Sequence, residues 1–258
     1  MEIFGYSIWV VALICGGVFL AGFMDSIAGG GGLISLPAYL IAGLPAHLAL
    51  GTNKLSSCIG TAASTYRYIR SGYVDWVLAL PTIPLAMVGA HFGTKLQLTV
   101  DERYLKYLLL VLLPIVAVIV LRQKKLPETR GEMNIWLQRI AVWGAALIVG
   151  AYDGFYGPGA GTFMLLAFCK LAKLDVRTAS GNVKVANLMS NFGSLITALM
   201  AGKVLIPMGL IAAVFSIAGH YIGSGLSIKN GSKIVRPVIL FVLTLLALEV
   251  VLELLGIR

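Results

Sequence analysis

The chain contains two apolar stretches in which an aspartate, Asp25 or Asp153, is followed four residues later by a cluster of glycines. Such a cluster interrupts a helix, leaves backbone N–H groups without helical partners and exposes the positive end of the next helix dipole, which favours an anion. In hydrocarbon a break survives only where it is buried in protein or lines a wet cavity. The alternative is close helix packing through small residues. The clusters comprise Gly29, Gly30, Gly31 and Gly32, and then Gly157, Gly159 and Gly161.

Each cluster is followed by a second apolar segment and then by a lysine, Lys54 or Lys184. A charged side chain inside a membrane span is costly and normally faces a cavity or an ionic partner. Two interpretations remain open. The lysines offer positive charge to a bound anion, or they extend to the membrane interface with the aspartates as structural ion-pair partners. Nearby polar residues complete the predicted anion site: Thr52, Asn53, Asn182, Asn187 and Asn191.

The aspartates also have two interpretations. Asp25 and Asp153 could bind a proton or cation that drives transport, because a carboxylate desolvated near a lysine titrates within reach of physiological pH. They could equally cap the helices that begin at the glycine clusters, and capping is the favoured interpretation. The three histidines, His47, His91 and His220, are interpreted as hydrogen-bonded packing residues rather than as proton relays.

The composition identifies the class of protein that holds these residues. The chain has 258 residues, of which 59% are hydrophobic and only 12% charged, against about 25% charged in an ordinary soluble domain. It is therefore an all-α integral membrane protein. Its 20 Lys and Arg give a net charge of +9, but they mostly punctuate apolar runs, which favours topology signals and lipid headgroups over nucleic acid. The three cysteines lack metal-ligand spacing and no catalytic motif is present, so we expect no enzyme, metal or cofactor.

Apolar runs of about 18 or more residues predict about eight full transmembrane helices and two broken segments. The N-terminal run lacks a basic region before it and is predicted to be a retained span. The predicted helices lie near 4–24, 48–69, 75–95, 103–121, 135–151, 178–200, 204–227 and 234–255, and the broken segments near 27–44 and 157–172.

The two halves of the chain repeat each other. Asp153 follows Asp25 by 128 positions, and Lys184 follows Lys54 by 130. The Gly-x-x-x-Gly pairs at 89/93 and 219/223 also recur at an offset of 130, and they favour close helix packing. This spacing predicts a first transmembrane repeat over residues 1–121, a basic cytoplasmic linker over 122–134 and a second repeat over 135–258.

The charge distribution predicts the relative orientation of the repeats. If each broken segment crosses the membrane, twelve basic residues outside the spans share one face and five share the other. If the broken segments return to the face they entered, eight basic residues lie on one face and nine on the other. This nearly equal division does not indicate an orientation. Positive residues concentrate on the cytoplasmic side. The first arrangement is therefore favoured, and with it an inverted repeat whose termini are both extracytoplasmic.

These motifs resemble the sulfite exporter TauE/SafE family of membrane permeases, also named for toluenesulfonate uptake, and in particular its YfcA-like members. The residues that carry the resemblance are Ala21 to Leu33, Gly51 to Leu55, Tyr152 to Gly161, and Lys184 with Asn187 and Asn191. The resemblance covers essentially the whole chain. It implies a duplicated helical carrier that moves small sulfur-containing anions, such as sulfite or organosulfonates, across the bacterial inner membrane.

The expected function is accordingly a secondary transporter, with export as the expected direction. Its expected partners are the small anion and the lipid bilayer. The sequence is also compatible with a homo-oligomer. One alternative is a proton- or cation-coupled carrier of another small solute in which Asp25 and Asp153 form the coupling site. Another is a membrane subunit that does not transport.

Overall fold

The computed structural model describes residues 2–3, 6–101 and 126–254, and this part of the chain is predominantly helical. An antiparallel pair of two-residue strands, β1 (Glu2–Ile3) and β2 (Tyr6–Ser7), precedes the helices. The helices are α1 (Ile8–Ala28), α2 (Gly32–Ile41), α3 (Ala46–Arg70), α4 (Trp76–Thr99), α5 (Ile135–Phe155), α6 (Ala160–Lys170), α7 (Val176–Met200), α8 (Ile206–Asn230) and α9 (Ser232–Leu254).

The predicted helices match these elements closely, with one systematic difference at the breaks. α1 continues three residues beyond Asp25, and α5 continues two residues beyond Asp153, so each aspartate lies in the last turn of its helix. The two short helices α2 and α6 begin at the glycine clusters, as predicted. The predicted helix at 103–121 and residues 122–125 of the predicted linker lie outside the described residues.

The outer surface of the bundle is apolar. Among the described helices, α1, α4, α5 and α8 are long and apolar enough to cross a membrane. The equally long α3 and α7 are less apolar because they carry buried polar side chains, which face the interior of the bundle. Large apolar side chains are exposed on the outside, including Trp9, Phe92, Trp136, Ile148 and Val214. Lipid, rather than water, is the solvent that accommodates such a surface.

Each half packs its long helices against the other half. α4 lies along α5, and α1 lies along α8. A Cβ atom added to Gly93 would lie 2.0 Å from the Ala151 carbonyl oxygen, and one added to Gly219 would lie 2.2 Å from the Phe19 carbonyl oxygen. The predicted close packing through these glycine pairs is confirmed, because no larger residue fits between the backbones.

The equivalent helices α3 and α7 run in opposite directions. Thr65, near the end of α3, donates to the carbonyl of Lys184, near the start of α7, at 3.0 Å. Lys54, near the start of α3, donates to Asn191, further along α7, at 3.1 Å. Contacts that pair early residues of one helix with later residues of the other define an antiparallel crossing.

The helix termini gather at two ends of the bundle. The basic end comprises residues 67–75, 126–134, 170–177 and 229–236, and it is held together by Arg130–Asp75 and by the Val176 N–H bonded to the Pro127 carbonyl. The opposite end comprises residues 42–52, 95–101 and 200–206, where Leu205 N–H donates to Thr52. The basic residues at the basic end are Arg67, Arg70, Arg130, Lys170, Lys173, Arg177, Lys229, Lys233 and Arg236, whereas the opposite end has Lys95 and Lys203.

The first broken helix folds back on itself. A Cβ added to Gly17 would lie 2.7 Å from the Cβ of Ala38, and one added to Gly31 would lie 2.6 Å from the Ala21 carbonyl oxygen. α2 therefore runs back along α1 and returns to the opposite end, where α3 begins. The glycine break lies at the tip of this hairpin, inside the bundle.

Candidate functional site

The two glycine breaks touch each other inside the bundle. Gly29 has φ +79°, and a Cβ at this position would lie 2.2 Å from the backbone nitrogen of Thr162 and 2.3 Å from the carbonyl carbon of Gly161. The hydroxyl of Thr162 donates to the carbonyl of Ala28 at 2.9 Å. The tips of the two hairpins, one from each half, thus form a single junction.

Two ion pairs cross between the halves beside this junction. Asp25 of the first half binds Lys184 of the second at 2.9 Å, and Lys54 of the first half binds Asp153 of the second at 2.8 Å. Both lysines are buried, with 2% and 6% of their surface exposed for Lys184 and Lys54 respectively. A buried ammonium group needs such a partner, because desolvation without one costs several kcal/mol.

These pairs correct two interpretations of the sequence. Extension of the lysines to the membrane interface is wrong, since both ammonium groups are enclosed, but the aspartates are their ion-pair partners, as the same interpretation predicted. Capping as the main role of the aspartates is also wrong. Asp153 bonds to Lys54 and to the hydroxyl of Ser190 at 2.6 Å, and Asp25 reaches one N–H at the start of α2, that of Gly31, at a long 3.4 Å. Ionic attraction to a buried lysine outweighs a single capping bond.

A polar cavity opens at the junction of the two glycine breaks. The N–H groups of Gly30 and Gly32 have no hydrogen-bond partner within the described residues, and α2 and α6 both begin at this cavity. The predicted site residues that line it are Asp25, Gly30, Gly31, Gly32, Asn53, Lys54, Asp153, Gly157, Gly161, Asn187 and Asn191.

Five other predicted site residues do not line this cavity and have structural contacts instead. Gly29 forms the backbone junction described above, and Gly159 is the left-handed residue that starts α6, with φ +81°. Thr52 accepts from the N–H of Leu205 at the start of α8. Asn182 donates to the Thr178 carbonyl within its own helix. Lys184 lies behind Asp25, where it also donates to the backbone carbonyl of Asp25.

A second, smaller cavity reaches Lys54 from the opposite end. It is bordered by His47, Gln97 and Lys203. Its wall includes Ser194, whose buried hydroxyl has no hydrogen-bond partner in the described part of the chain. Lys54 is therefore in contact with both cavities, which places its ammonium group between the central site and the opposite end.

His220 is the residue at this site that the sequence interpretation missed. Its Nε2 lies 3.3 Å from Asp25 Oδ2 and its ring lines the central cavity. Gly22 and Gly60 leave the space for the ring, since a Cβ on either would lie 2.6 Å from its Nδ1. The repeat contains the missed signal: at an offset of 130 the counterpart of His220 is Ala90, so the histidine departs from the symmetry of the halves.

Charge balance decides what the cavity can bind. If His220 is neutral, the positive charges of the two lysines and the negative charges of the two aspartates sum to zero. Each lysine ammonium group is paired with a carboxylate. The remaining donors toward the cavity are glycine N–H groups, asparagine amides and the part of the Lys54 ammonium not used by Asp153 and Asn191. Backbone amides at helix starts are well suited to a small oxyanion.

Two broken helices that meet at a polar cavity inside an apolar bundle define a membrane transporter. A family model, Sulfite exporter TauE/SafE, matches residues 14–250, and the chain belongs to this family. It is 36% identical over 246 residues to the probable membrane transporter protein YfcA of Escherichia coli (strain K12), covering 94% of this chain and 91% of the relative.

Two further relatives carry similar names. The chain is 34% identical to the probable membrane transporter protein ORF9 of Sinorhizobium sp, over 93% of this chain and 92% of the relative. It is 33% identical to a probable membrane transporter protein of Haemophilus influenzae, over 88% of each chain. No solved structure matches the chain. These relatives make the protein a multi-pass membrane transporter, with a small solute and membrane lipid as its partners.

Proposed function

We propose that the protein is a secondary transporter that exports small sulfur-containing anions, such as sulfite or organosulfonates, across the bacterial inner membrane. The substrate class and the direction come from the family's description. The observation that carries the rest is the central cavity, where both glycine breaks, both aspartates and Lys54 face one space. Binding sites of secondary transporters are expected where broken helices of two repeats meet.

The proposal includes an inverted repeat, with residues 1–121 and 135–258 as its members and 122–134 as a cytoplasmic linker. The antiparallel crossing of α3 and α7 supports it, because equivalent helices run in opposite directions only when the copies are inverted. The basic end is then cytoplasmic by the positive-inside rule, and the N-terminus is extracytoplasmic.

In this proposal the anion binds between the tips of the two hairpins. The free N–H groups of Gly30 and Gly32, the amides of Asn53 and Asn187, and the Lys54 ammonium supply hydrogen bonds. The anion competes with Asp153 for Lys54, so binding loosens one link between the halves. Rocking of the halves about the junction then exposes the site alternately. The smaller cavity beyond Lys54 supports an exit toward the opposite end.

The test is a thermal-shift screen of the detergent-solubilised protein with sulfite, sulfonates, sulfate and carboxylates, followed by sulfite flux in liposomes. Sulfur anions should raise the melting temperature, and Lys54→Gln should abolish that increase. The matched control is Lys95→Gln, which removes an exposed lysine from α4 outside both cavities. Stabilisation by carboxylates alone contradicts the substrate class. Absence of flux under every imposed gradient contradicts transport.

A second candidate is a proton- or cation-coupled carrier of another small solute, with Asp25 and Asp153 as the coupling site. It is favoured by the exposure of both carboxylates to the central cavity. Each is already paired with an ammonium group, so a metal cation would have to replace a lysine, whereas a proton would not. Solute flux that survives Lys54→Gln but is lost with Asp25→Asn supports this candidate over the first.

A further inference from the structure

The two crossed ion pairs are equivalent by the repeat, but their surroundings differ in one titratable group. Asp153 receives a hydrogen bond from the Ser190 hydroxyl at 2.6 Å in addition to Lys54. The residue equivalent to Ser190 is Gly60, and a Cβ there would meet the His220 ring. His220 thus occupies the position beside Asp25 that a serine hydroxyl occupies beside Asp153. A hydroxyl keeps its proton at physiological pH, whereas an imidazole exchanges one.

Both nitrogens of the His220 ring lie near an oxygen that accepts hydrogen bonds, but a neutral ring has only one N–H. Nδ1 lies 3.0 Å from the backbone carbonyl oxygen of Ser216, and Nε2 lies 3.3 Å from Asp25 Oδ2. A carbonyl and an ionised carboxylate only accept hydrogen bonds, and a neutral imidazole has a single N–H. Whichever nitrogen holds that hydrogen, the other places its lone pair against an oxygen. One further proton, between Nε2 and Oδ2, lets both ring nitrogens donate, Nδ1 to the Ser216 carbonyl and Nε2 to Asp25.

Two hydroxyls compete for the ring nitrogens. The Thr61 hydroxyl lies 3.4 Å from Nε2 and the Ser216 hydroxyl 3.3 Å from Nδ1, and either can donate to a nitrogen that has no hydrogen, but both distances are longer than the 3.0 Å between Nδ1 and the Ser216 carbonyl oxygen. Lys184 on α7 binds Asp25 from behind, and Lys54 and Asp153 face the same cavity from α3 and α5. His220 is 2% exposed, so bulk water does not satisfy it.

We propose that His220 and Asp25 form a proton-binding site and that its proton is bound together with the transported anion. A hydronium ion that reaches the central cavity gives up the proton: its O–H bond breaks, a bond to the Nε2–Oδ2 pair forms, and a neutral water molecule is left. It changes the sum of charges at the cavity from zero to +1. A site that is neutral when empty thereby becomes attractive to an anion.

This inference rests on the proposed transport of an anion, and it adds a consequence for direction. Because the proton and the anion stabilise each other at one site, each raises the affinity for the other by the same factor. Net flow of the anion then follows the pH gradient as well as its own gradient. An acidic interior drives the anion outward, in the direction of the proposed export, and an acidic exterior opposes that export.

The proton site can be tested without any substrate, because the chain has only three histidines. Histidine side chains labelled with ¹⁵N are titrated by NMR from about pH 5 to 9, and His220→Gln assigns the resonance. We expect the His220 nitrogen resonances to change with pH and this change to differ in Asp25→Asn. His91→Gln, which alters a histidine bonded to Thr197 outside both cavities, should leave the His220 transition in place. A His220 signal that does not titrate, or that ignores Asp25→Asn, overturns the proton site.

Coupling is tested with sulfite as the probe in liposomes. If one proton binds with each anion, lowering the pH on the sulfite side should raise uptake by about tenfold per pH unit at limiting sulfite. The pH response should be lost in His220→Gln and kept in His91→Gln. Sulfite flux that is independent of pH, or equally pH-dependent in His220→Gln, overturns the coupling. Wild-type protein without sulfite flux instead overturns the proposed function, and the NMR titration then decides the proton site alone.

Discussion

The contact between the two glycine breaks can be tested by adding a single methyl group. Gly29→Ala places a Cβ 2.2 Å from the Thr162 nitrogen and 2.3 Å from the Gly161 carbonyl carbon, and both atoms belong to the backbone. Gly43→Ala is the matched control, because Gly43 also has a positive φ, +86°, but nothing lies within 4 Å of its Cβ position. Gly16→Ala controls for the methyl group itself, in a helix and in open space.

The loss of stability expected for each variant has two separate causes, the strained backbone conformation of the new alanine and the contact of its methyl group with neighbouring atoms. Both Gly43→Ala and Gly29→Ala place an alanine at a positive φ, which costs roughly 1–3 kcal/mol. Gly29, with ψ −179°, lies in a region of backbone conformation that is essentially limited to glycine. Overpacking against a neighbour that cannot rotate away adds about 1–3 kcal/mol, and it applies only to Gly29→Ala. Gly16→Ala should be neutral or stabilising by up to about 1 kcal/mol, since alanine is the better helix former.

The measurement is the melting temperature of the purified protein in one detergent. For a chain of this size 1 kcal/mol corresponds to about 2–4 °C. Gly29→Ala should therefore melt roughly 2–12 °C below Gly43→Ala, and the upper part of that range is expected because the obstructing atoms are backbone. If the two variants melt together, the breaks do not touch. The cavity between them then loses its structural basis.

Two further predictions concern the ion pairs and the topology. Asp153→Asn leaves the buried Lys54 without its carboxylate and should lower the free energy of unfolding by about 3–5 kcal/mol. Adding Lys54→Gln should recover much of this loss. If the losses of the two single variants instead add up in the double variant, the pairing is contradicted. Cysteines introduced as Ser71→Cys and Lys203→Cys lie in equivalent loops at the two ends of the bundle. In intact cells a membrane-impermeant thiol reagent should label the second and not the first, whereas labelling of both from one side would exclude the inverted repeat.

Much of the helical framework could be predicted from spacing alone. Matched offsets of 128 and 130 identify equivalent residues without any knowledge of their contacts, and the start of the short helices at the glycine clusters follows from backbone freedom. The pairing of Asp25 with Lys184, rather than with Lys54 of its own half, could not be predicted. It depends on how the halves dock, and neither hydrophobic periodicity nor motif spacing encodes the partner of a helix.

The missed histidine has a physical explanation as well. A lone histidine in an apolar helix is most often a packing residue, and His91, bonded to Thr197, fits that expectation. What distinguishes His220 is the loss of side chains opposite it, at Gly22 and Gly60, and those glycines lie on two other helices. The signal that the sequence did contain was a difference between the two repeats: the residue equivalent to His220 in the first half is Ala90.

The crossed ion pairs relate binding to movement. Each aspartate of one half is held by a lysine of the other, so rocking that separates the halves must break at least one pair or carry it along intact. An unpaired buried charge costs about 3–5 kcal/mol, which lowers the population of the separated state by roughly a hundredfold to several thousandfold. In the proposed mechanism, an anion that replaces Asp153 at Lys54, or a proton shared by His220 and Asp25, removes part of that cost. The same contacts that hold the empty protein in place would then be released by its ligands, so that the carrier does not move without its cargo.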